Sequence, residues 1–351
     1  MSRILVLGGG RQGCVMARDL SDDHDVTVAD SRALELGQAR VTAVRADLSD
    51  TDRVAALARD HDLVIGALPS WLGFAAARAC LEAGRDMVDI AFFPEDAAEL
   101  DAVAREHGVR LLPDCGIAPG LSHLVAGRAC AAAEAAGKSI DSLRILVGGV
   151  AADPSRPYGY VVSWSLEDLV EEYTRPARIR RGGETVTVPA MSGLETVEVP
   201  GIGPMEAFYS DGLRTLLDMT GIPHIEEKTL RHPGHIAAIQ PLLESETLVE
   251  EFGRQCLEGD DVVVLMVETE GPEGSTRARL DVPAKDGLSG MARATALPCA
   301  AFARRVLAGD VTATGLVRPE DIGRDAAIMD RLLADLEPRG LRFDPPRPFT
   351  D

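Results

Sequence analysis

The first third of the chain alternates short apolar runs with stretches in which apolar side chains recur at helical spacing. The apolar runs predict strands at residues 4–7, 26–29, 41–44, 63–68, 87–90 and 109–112. The helical stretches lie between them, at residues 14–20, 52–59, 72–83 and 94–106. Strands joined by crossover helices form a parallel sheet, so this region is predicted to be a doubly wound α/β domain.

The pattern changes after a predicted helix at residues 121–136. Residues 143–280 mix alternating strands, such as 185–188 and 196–199, with short helices and glycine turns. This mixture predicts an α+β domain with a largely antiparallel sheet. An alanine-rich helix at about 288–307 and a further helix ending at Leu336 predict a return to the first domain. We therefore expect one domain over 1–122, completed by about 290–351, and a second over 123–289.

Three glycines follow the first predicted strand at the spacing of a dinucleotide-binding turn. Gly8 permits the tight turn, Gly10 lets the backbone approach a pyrophosphate, and Gly13 lets the next helix pack against the sheet. Amides at the start of that helix then face the phosphates, so Arg11 and Gln12 are assigned to the same site. This is the fingerprint of a Rossmann domain.

An acidic residue ends the second predicted strand. Asp30 lies 17 residues after Gly13, close to the offset of about 20 at which an acid binds the adenosine ribose. Its carboxylate accepts hydrogen bonds from the ribose diol and repels a 2′-phosphate, which favours NAD over NADP. Arg32 weakens that preference, because a guanidinium two residues on is able to hold a 2′-phosphate. We expect NAD, with NADP as the alternative.

Ligands of a parallel sheet bind beyond the carboxyl ends of its strands, so the residues that leave those ends are candidates for the site. On this ground we assign to cofactor binding Asp47, Leu48, Ala67, Leu68 and Pro69. On the same ground we assign to catalysis Asp89, Asp114 and Cys115, with His123 in the helix that follows.

Each catalytic candidate has a structural alternative. Asp89 is either part of the site or an acceptor in a strand-end turn. Asp114 either attracts an ammonium group and orients water or caps the next helix. Cys115 either lines the pocket or is an inert packed thiol. His123 is either a general base or a packed histidine.

The composition limits the classes of molecule that this protein is expected to bind. The 351 residues include 36 basic and 56 acidic side chains, a net charge of −20. This argues against nucleic acid or an anionic membrane as partner. The same charge would attract a cationic substrate such as an amine, with solubility as the alternative role of the acidic excess. Six cysteines without a CxxC pair and histidines without metal-ligand spacing predict neither a metal site nor a disulfide framework. The early glycines interrupt any signal-peptide core, so we expect a cytoplasmic protein.

Further strings occur in a distinctive order. They are PDCGIAPGLSH at 113–123, LVGG at 146–149, YGYVVSWS at 158–165 with EEYTRPA at 171–177, EAFYSDG at 206–212 and KTLRHPGH at 228–235. This order resembles the saccharopine dehydrogenase-like family, and most closely its lysine 6-dehydrogenase branch, which oxidatively deaminates the lysine side chain. The resemblance implies a Rossmann domain, a second domain that pairs in a homodimer, and an amino-acid substrate held between the two.

The substrate candidates lie within or beside these strings: Tyr160, Trp164, Ser165, Arg214, Arg231 and His232. Tyr160, Trp164 and Ser165 form a patch able to hold an amino-acid backbone, with a packed aromatic face as the alternative. A substrate carboxylate favours a bidentate guanidinium, for which Arg231 is the first choice and Arg214 the second. A solvated surface arginine is the alternative for both.

The reaction that the resemblance implies is hydride transfer from a carbon bearing nitrogen to NAD, followed by hydrolysis of the imine. Val161 stands where saccharopine-forming relatives tend to carry a basic residue. With valine at this position, one carboxylate of a dicarboxylic adduct would lack a cationic partner. This favours a simpler amine as the substrate. Two alternatives stay open: reductive condensation of the saccharopine or carboxynorspermidine dehydrogenase type with NAD(P)H, and a NAD(P)-binding regulator without turnover.

Overall fold

The computed structural model describes residues 1–349. Residues 1–135 form, in order, β1 (Arg3–Leu7), α1 (Arg11–Leu20), β2 (Asp25–Asp30), β3 (Val41–Arg45), α2 (Thr51–Arg59), β4 (Leu63–Gly66), α3 (Ser70–Glu82), β5 (Met87–Asp89), α4 (Asp101–Glu106), β6 (Arg110–Leu112) and α5 (Leu121–Ala135). The middle of the chain forms β7 (Ser142–Ala151), α6 (Leu166–Thr174), β8 (Ala177–Arg181), β9 (Glu184–Val188), β10 (Glu195–Val199), β11 (Gly203–Tyr209), β12 (His224–Arg231), α7 (His235–Glu244), α8 (Leu248–Gln255), β13 (Asp261–Gly271) and β14 (Gly274–Pro283).

The last part of the described chain forms α9 (Gly290–Leu307), β15 (Gly315–Leu316), α10 (Pro319–Arg324), α11 (Ala326–Leu336) and β16 (Phe343–Asp344). Short 3₁₀ turns occur at Ala97–Leu100, Pro157–Gly159, Arg214–Asp218 and Glu337–Arg339. The helix predicted over 94–106 is therefore divided into a 3₁₀ turn and α4. The Asp96 carboxylate accepts a hydrogen bond from the Ala98 amide, which caps the 3₁₀ turn before α4 begins.

Seven of the described strands form a parallel sheet in the order β3-β2-β1-β4-β5-β6-β15. The apolar side chains of β1 and β4 have no exposed surface, as expected for strands covered on both faces. The strand order reverses direction between β1 and β4, which makes their carboxyl ends the topological switch point. The prediction of a doubly wound sheet is confirmed.

The other nine described strands form a mixed sheet. Its path is β10-β11-β12-β7-β13-β14-β16, and β8 pairs with both β12 and β9. The β12–β7 pairing is parallel and the others are antiparallel, which confirms the predicted second domain. Helices α6, α7 and α8 pack there around Tyr160, Tyr173, Phe208, Ile239 and Phe252.

The chain divides into two compact units. Unit 1 comprises Met1–Leu121 and Thr295–Arg339, and unit 2 comprises Ser122–Ala294 and the chain from Gly340 onwards. The expectation that 290–351 completes the first domain therefore needs a correction at its end, because β16 pairs with β14 in unit 2. A strand of two residues is too short to show a period in the sequence. In the part of the chain that the structure describes, every helix is too short or too polar to cross a membrane.

Candidate functional site

The turn between β1 and α1 has room for backbone but not for side chains. Gly8 has a φ of +101°, and a Cβ there would lie 2.3 Å from the Ala67 carbonyl oxygen. A Cβ at Gly13 would lie 1.9 Å from the Gly8 carbonyl oxygen. Gly10 is the N-cap residue of α1 and has no side chain to cap the helix, and no atom of the described residues lies within 4 Å of where its Cβ would be. These observations fit a pyrophosphate held by the backbone at the start of α1.

Asp30 ends β2 beside this turn. Its carboxylate accepts hydrogen bonds from the Gly9 amide at 2.8 Å, from the Arg32 amide at 2.8 Å and from the Arg32 guanidinium at 3.0 and 3.2 Å. Burial raises the pKa of the Asp30 carboxyl, but the hydrogen bonds from Arg32 and Gly9 outweigh burial and hold the pKa below its usual value. Asp30 is therefore ionised at neutral pH.

Arg32 joins the two candidate specificity residues into one unit. Its guanidinium also donates to the Gly9 carbonyl at 3.1 Å, while 65% of its side chain is exposed. The same group thus neutralises the acid expected to bind a ribose diol and is accessible to a 2′-phosphate. The geometry is compatible with either dinucleotide.

The loop after β4 lies against the glycine turn. The Ala67 amide donates to the Leu7 carbonyl at 2.8 Å, and Leu68 is 8% exposed. Pro69 is the N-cap residue of α3, and Trp71 in the first turn of that helix is 72% exposed. The structure therefore brings the predicted loop to the switch point and adds an exposed indole, which the sequence reading missed.

Some of the remaining cofactor candidates lie where the sequence places them, and others have structural contacts. Arg11 and Gln12 lie in the first turn of α1, as expected. Asp47 is instead held in a local turn, where its carboxylate accepts hydrogen bonds from the Ser49 amide at 3.0 Å and hydroxyl at 2.7 Å. Leu48 packs in the core of unit 1 with 6% exposure, and its assignment to cofactor binding stays a prediction.

Buried acids lie at the carboxyl ends of the next strands. Asp89 is fully buried, and its carboxylate accepts a hydrogen bond from the Ala91 amide at 2.6 Å. A Cβ at Gly66 would lie 1.7 Å from Asp89 Oδ2, so this carboxylate lies directly over the end of β4. Asp114 is 3% exposed and has a φ of +58°, a left-handed conformation that aspartate tolerates.

Cys115 is a buried thiol whose amide donates to the Asp89 carbonyl at 2.8 Å. Burial raises the pKa of the Cys115 thiol well above its usual value, and Cys299, Asp114, Asp89 and Glu320 raise it further. A protonated, fully buried thiol is not a nucleophile, so the structure favours the packing role. Glu320, a 2% exposed acid in α10, belongs to the same electrostatic neighbourhood. Nothing local in the sequence marks its burial.

His123 is fully buried in α5. Its Nδ1 lies 3.0 Å from the Ser122 hydroxyl and its Nε2 lies 3.0 Å from the Leu213 carbonyl oxygen. Burial, and to a smaller extent the nearby Arg214, lower the pKa of His123 to about 3 against the opposing effect of the hydrogen bond to the Leu213 carbonyl. Because both ring nitrogens are hydrogen-bonded within the protein and a ring with so low a pKa is a weak base, the predicted general base is corrected to a residue that fixes α5 to the loop at Leu213.

Arg231 ends β12 with 2% exposure. Its Nη2 donates to the Glu172 carboxylate at 2.9 Å, its Nε to the Tyr173 hydroxyl at 2.9 Å and its Nη1 to the Leu230 carbonyl at 3.0 Å. The guanidinium carbon also lies 5.1 Å from the centre of the Tyr160 ring. The predicted carboxylate ligand thus already has a carboxylate partner inside the protein.

Of the other substrate candidates, Tyr160 and Trp164 come together with Arg231. The Trp164 indole donates to the Tyr160 hydroxyl at 2.9 Å. Ser165 instead caps α6, because its hydroxyl accepts a hydrogen bond from the Asp168 amide at 3.2 Å. His232 is held by the Ala151 carbonyl, 2.9 Å from its Nε2. Arg214 begins a 3₁₀ turn with a φ of +45°.

The sequence reading missed the residues that complete the Arg231 network. The Thr229 hydroxyl donates to Glu172 at 2.6 Å, and the Ser210 hydroxyl lies 2.9 Å from that of Thr229. The His235 ring nitrogen Nε2 lies 2.9 Å from the Tyr173 hydroxyl. All of these residues lie in strings that were noted for their order, but composition does not show which of them face one another.

Comparison with known proteins agrees with this geometry. Residues 4–112 match the family model of the saccharopine dehydrogenase NADP binding domain, and residues 116–341 match that of the saccharopine dehydrogenase C-terminal domain. This chain belongs to the saccharopine dehydrogenase family. Unit 1 therefore carries the NAD(P)-binding domain of this family.

Curated relatives in the saccharopine dehydrogenase family are distant. The saccharopine dehydrogenase [NADP(+), L-glutamate-forming] of Saccharomyces cerevisiae is 26% identical over 263 residues, which cover 71% of this chain and 59% of that protein. The mitochondrial alpha-aminoadipic semialdehyde synthase of Bos taurus is 26% identical over 198 residues, covering 54% of this chain and 21% of that protein. The chain thus matches less than two thirds of the length of either relative.

Solved structures show the fold of the family in this chain. Apo saccharopine dehydrogenase (L-Glu forming) from Saccharomyces cerevisiae superposes with a TM-score of 0.72 at 20% identity, over 98% of this chain and 99% of that one. The homospermidine synthase of Legionella pneumophila, in complex with NAD, has a TM-score of 0.67 at 14% identity, over 97% and 90%. At these identities the likeness establishes the fold.

Proposed function

We propose that this protein is a nicotinamide-dinucleotide-dependent oxidoreductase that oxidatively deaminates the side-chain amine of an amino acid, with L-lysine as the first substrate to test. Membership of the saccharopine dehydrogenase family and the glycine turn at Gly8–Gly13 support the dinucleotide. One observation carries the substrate class: Glu172 already neutralises Arg231. A dicarboxylic adduct would need a second cation, which Val161 does not supply either.

The overall reaction converts R–CH₂–NH₃⁺, NAD(P)⁺ and water into R–CHO, NH₄⁺, NAD(P)H and a proton. A bound nicotinamide supplies the hydride acceptor. The amine must lose a proton before hydride leaves its carbon, because a protonated nitrogen has no lone pair to stabilise the developing positive charge. Asp114 is our candidate to hold the ammonium group and take that proton. Asp89 and Glu320 make its surroundings acidic, which favours a cationic substrate.

A second candidate function is reductive condensation of the saccharopine or carboxynorspermidine dehydrogenase type, the reverse of the L-glutamate-forming direction that the name of the Saccharomyces cerevisiae relative gives for that protein. It would join an aldehyde to an amino acid, and reduced dinucleotide would be consumed. The chain's matches to saccharopine dehydrogenases favour this candidate, whereas the neutralised Arg231 argues against a pocket for two further carboxylates.

Spectrophotometric turnover distinguishes the candidates. With L-lysine and NAD or NADP, we expect reduced dinucleotide to accumulate, and Asp114→Asn to lower kcat at least tenfold with dinucleotide affinity unchanged. Oxidation of reduced dinucleotide only when an aldehyde and glutamate are both supplied would support condensation instead. Dinucleotide binding in calorimetry with no turnover in either direction would support a regulator. As predicted from the sequence, we expect the active species to be a cytoplasmic homodimer. A sedimentation experiment would measure the mass of that species.

A further inference from the structure

Unit 2 has a cleft at the end of its sheet where β8 ends and β7 and β12 begin. β8 pairs with β12 at a single position, Arg180 opposite Ile225, so the two strands separate there. The cleft has a volume of about 400 Å³, within the range of small-ligand sites. Its lining residues are Ser142, Arg180, Arg181, His224, Ile225 and Glu226.

Within the described part of the chain, Arg180 is a buried cation without a carboxylate partner. It is 9% exposed, and its guanidinium donates to the carbonyl oxygens of Leu217 and Met219, and to that of Ile222 at 3.5 Å. Among the residues that the structure describes, no carboxylate oxygen lies within 4.0 Å of its nitrogens, and its buried Nε has no acceptor. Buried guanidinium groups are ordinarily paired, because a carbonyl dipole solvates the charge without neutralising it.

Arg181 adds a second cation at the mouth of the cleft. It is exposed, donates to the Tyr209 hydroxyl at 3.1 Å and lies 5.6 Å from the centre of that ring. Within residues 1–349 it too has no carboxylate within 4.0 Å. The acid that lines the cleft is engaged elsewhere: Glu226 pairs with Arg144 at 3.0 Å and accepts from the Tyr209 hydroxyl at 3.0 Å. The cleft therefore concentrates positive charge in a chain whose net charge is −20.

We propose that this cleft binds a small oxyanion, the phosphate or carboxylate group of a metabolite, through Arg180 and Arg181, with His224 and the Ser142 hydroxyl as further polar groups. Guanidinium groups recognise both kinds of oxyanion with paired N–H donors. The cleft is separate from the Arg231 network. The two lie at opposite ends of β12, so roughly 23 Å of strand, at about 3.3 Å per residue, separates His224 from Arg231.

Titration calorimetry at constant ionic strength tests the site with two probes, inorganic phosphate and acetate. Arg181→Gln removes the exposed cation without touching the buried carbonyl contacts, and we expect it to weaken binding about tenfold for whichever probe the cleft prefers. Arg180→Lys keeps the charge but loses the paired N–H donors of the guanidinium, and we expect a loss of anion affinity of similar size. The glycine turn is intact in both variants, so NAD affinity should stay the same.

The matched control is Arg277→Gln, which removes one cation from β14 in the same unit, where Arg277 is 49% exposed and lies 3.7 Å from Glu268. We expect wild-type affinity for both probes. If Arg277→Gln and Arg181→Gln weakened anion binding equally, the net charge of the protein would explain the effect, and the proposal would be overturned. Unchanged anion binding in Arg181→Gln would also overturn the proposal. So would a change in the sedimentation of that variant without a change in its anion affinity, because the cleft would then be a contact between subunits.

Discussion

The guanidinium of Arg32 lies across both carboxylate oxygens of Asp30, with Nε 3.0 Å from Oδ1 and Nη2 3.2 Å from Oδ2. In the sequence these two residues are opposing signals, an acid for NAD and a cation for NADP. In the structure they are one hydrogen-bonded unit anchored on Gly9. We therefore expect selection between the two dinucleotides to depend on whether Arg32 stays on Asp30 or turns to a phosphate.

Arg32→Gln should shift preference toward NAD. Without the guanidinium, the Asp30 carboxylate faces a 2′-phosphate unshielded, and a charge-assisted hydrogen bond to that phosphate is lost. We expect the Kd for NADP to rise about tenfold and that for NAD to change little, measured by calorimetry. Arg40→Gln, which removes an exposed arginine bonded to a backbone carbonyl, is the control. Equal losses for both dinucleotides would mean that Arg32 only positions Asp30.

Trp71 should report dinucleotide binding by fluorescence. The chain has two tryptophans, and Trp164→Phe leaves the 72% exposed indole of Trp71, beside the switch point, as the emitter. We expect NAD to quench this emission, because the nicotinamide half crosses β4 when the pyrophosphate lies on the Gly8–Gly13 turn. ADP-ribose, which lacks nicotinamide, should quench less. The companion variant Trp71→Phe should show no such response, and a response of equal size there would place the contact elsewhere.

Arg231→Met should destabilise the protein, because it leaves the Glu172 carboxylate without its cation. The full loss for a broken buried pair is about 3–5 kcal/mol. Glu172 keeps its hydrogen bond from Thr229, and 18% of its side chain is exposed to water. We therefore expect the free energy of unfolding, measured with urea, to fall by about 2–3 kcal/mol. The double variant Arg231→Met/Glu172→Gln should recover at least half of this. If the single variant unfolds like the wild type, the pair contributes no net stability.

His123 and His235 should make the protein acid-sensitive. Burial lowers the pKa of each ring to about 3 from an ordinary value of 6.5. Between those values the unfolded chain binds a proton at each ring that the folded chain does not. Stability is therefore complete above about pH 6.5 and falls as the pH is lowered, with a slope of about 1.4 kcal/mol per pH unit for each histidine.

His123→Gln tests this pH dependence while keeping a side-chain amide able to donate to the Leu213 carbonyl. Urea unfolding between about pH 4 and pH 6 should show a slope smaller by one proton than in the wild type. His107→Gln, at an exposed position after α4, is the control substitution. A wild-type slope in His123→Gln would indicate that the buried ring already carries a proton.

Much of unit 1 was predictable because its signals are local. Gly8 needs a positive φ and Gly13 has no room for a Cβ, so glycine spacing reports the backbone turn directly. The apolar side chains of β1 and β4 are buried on both faces of the sheet, and the continuous apolar runs of these strands show this. The exposed Trp71 was not predictable, because an apolar residue in a helix is ordinarily assumed to be packed.

By itself, the sequence determined the parallel sheet, the mixed second sheet, the glycine turn and the acid at the end of β2, because backbone geometry imposes these periods and spacings residue by residue. The tertiary structure decided the roles of the polar side chains. Arg231 and Glu172 are 59 residues apart in the chain, and His123 and Leu213 are 90 residues apart. For residues 1–349, packing between such distant segments decides which charge is neutralised, which ring is held neutral and which arginine has no carboxylate. No local pattern in the sequence records that packing.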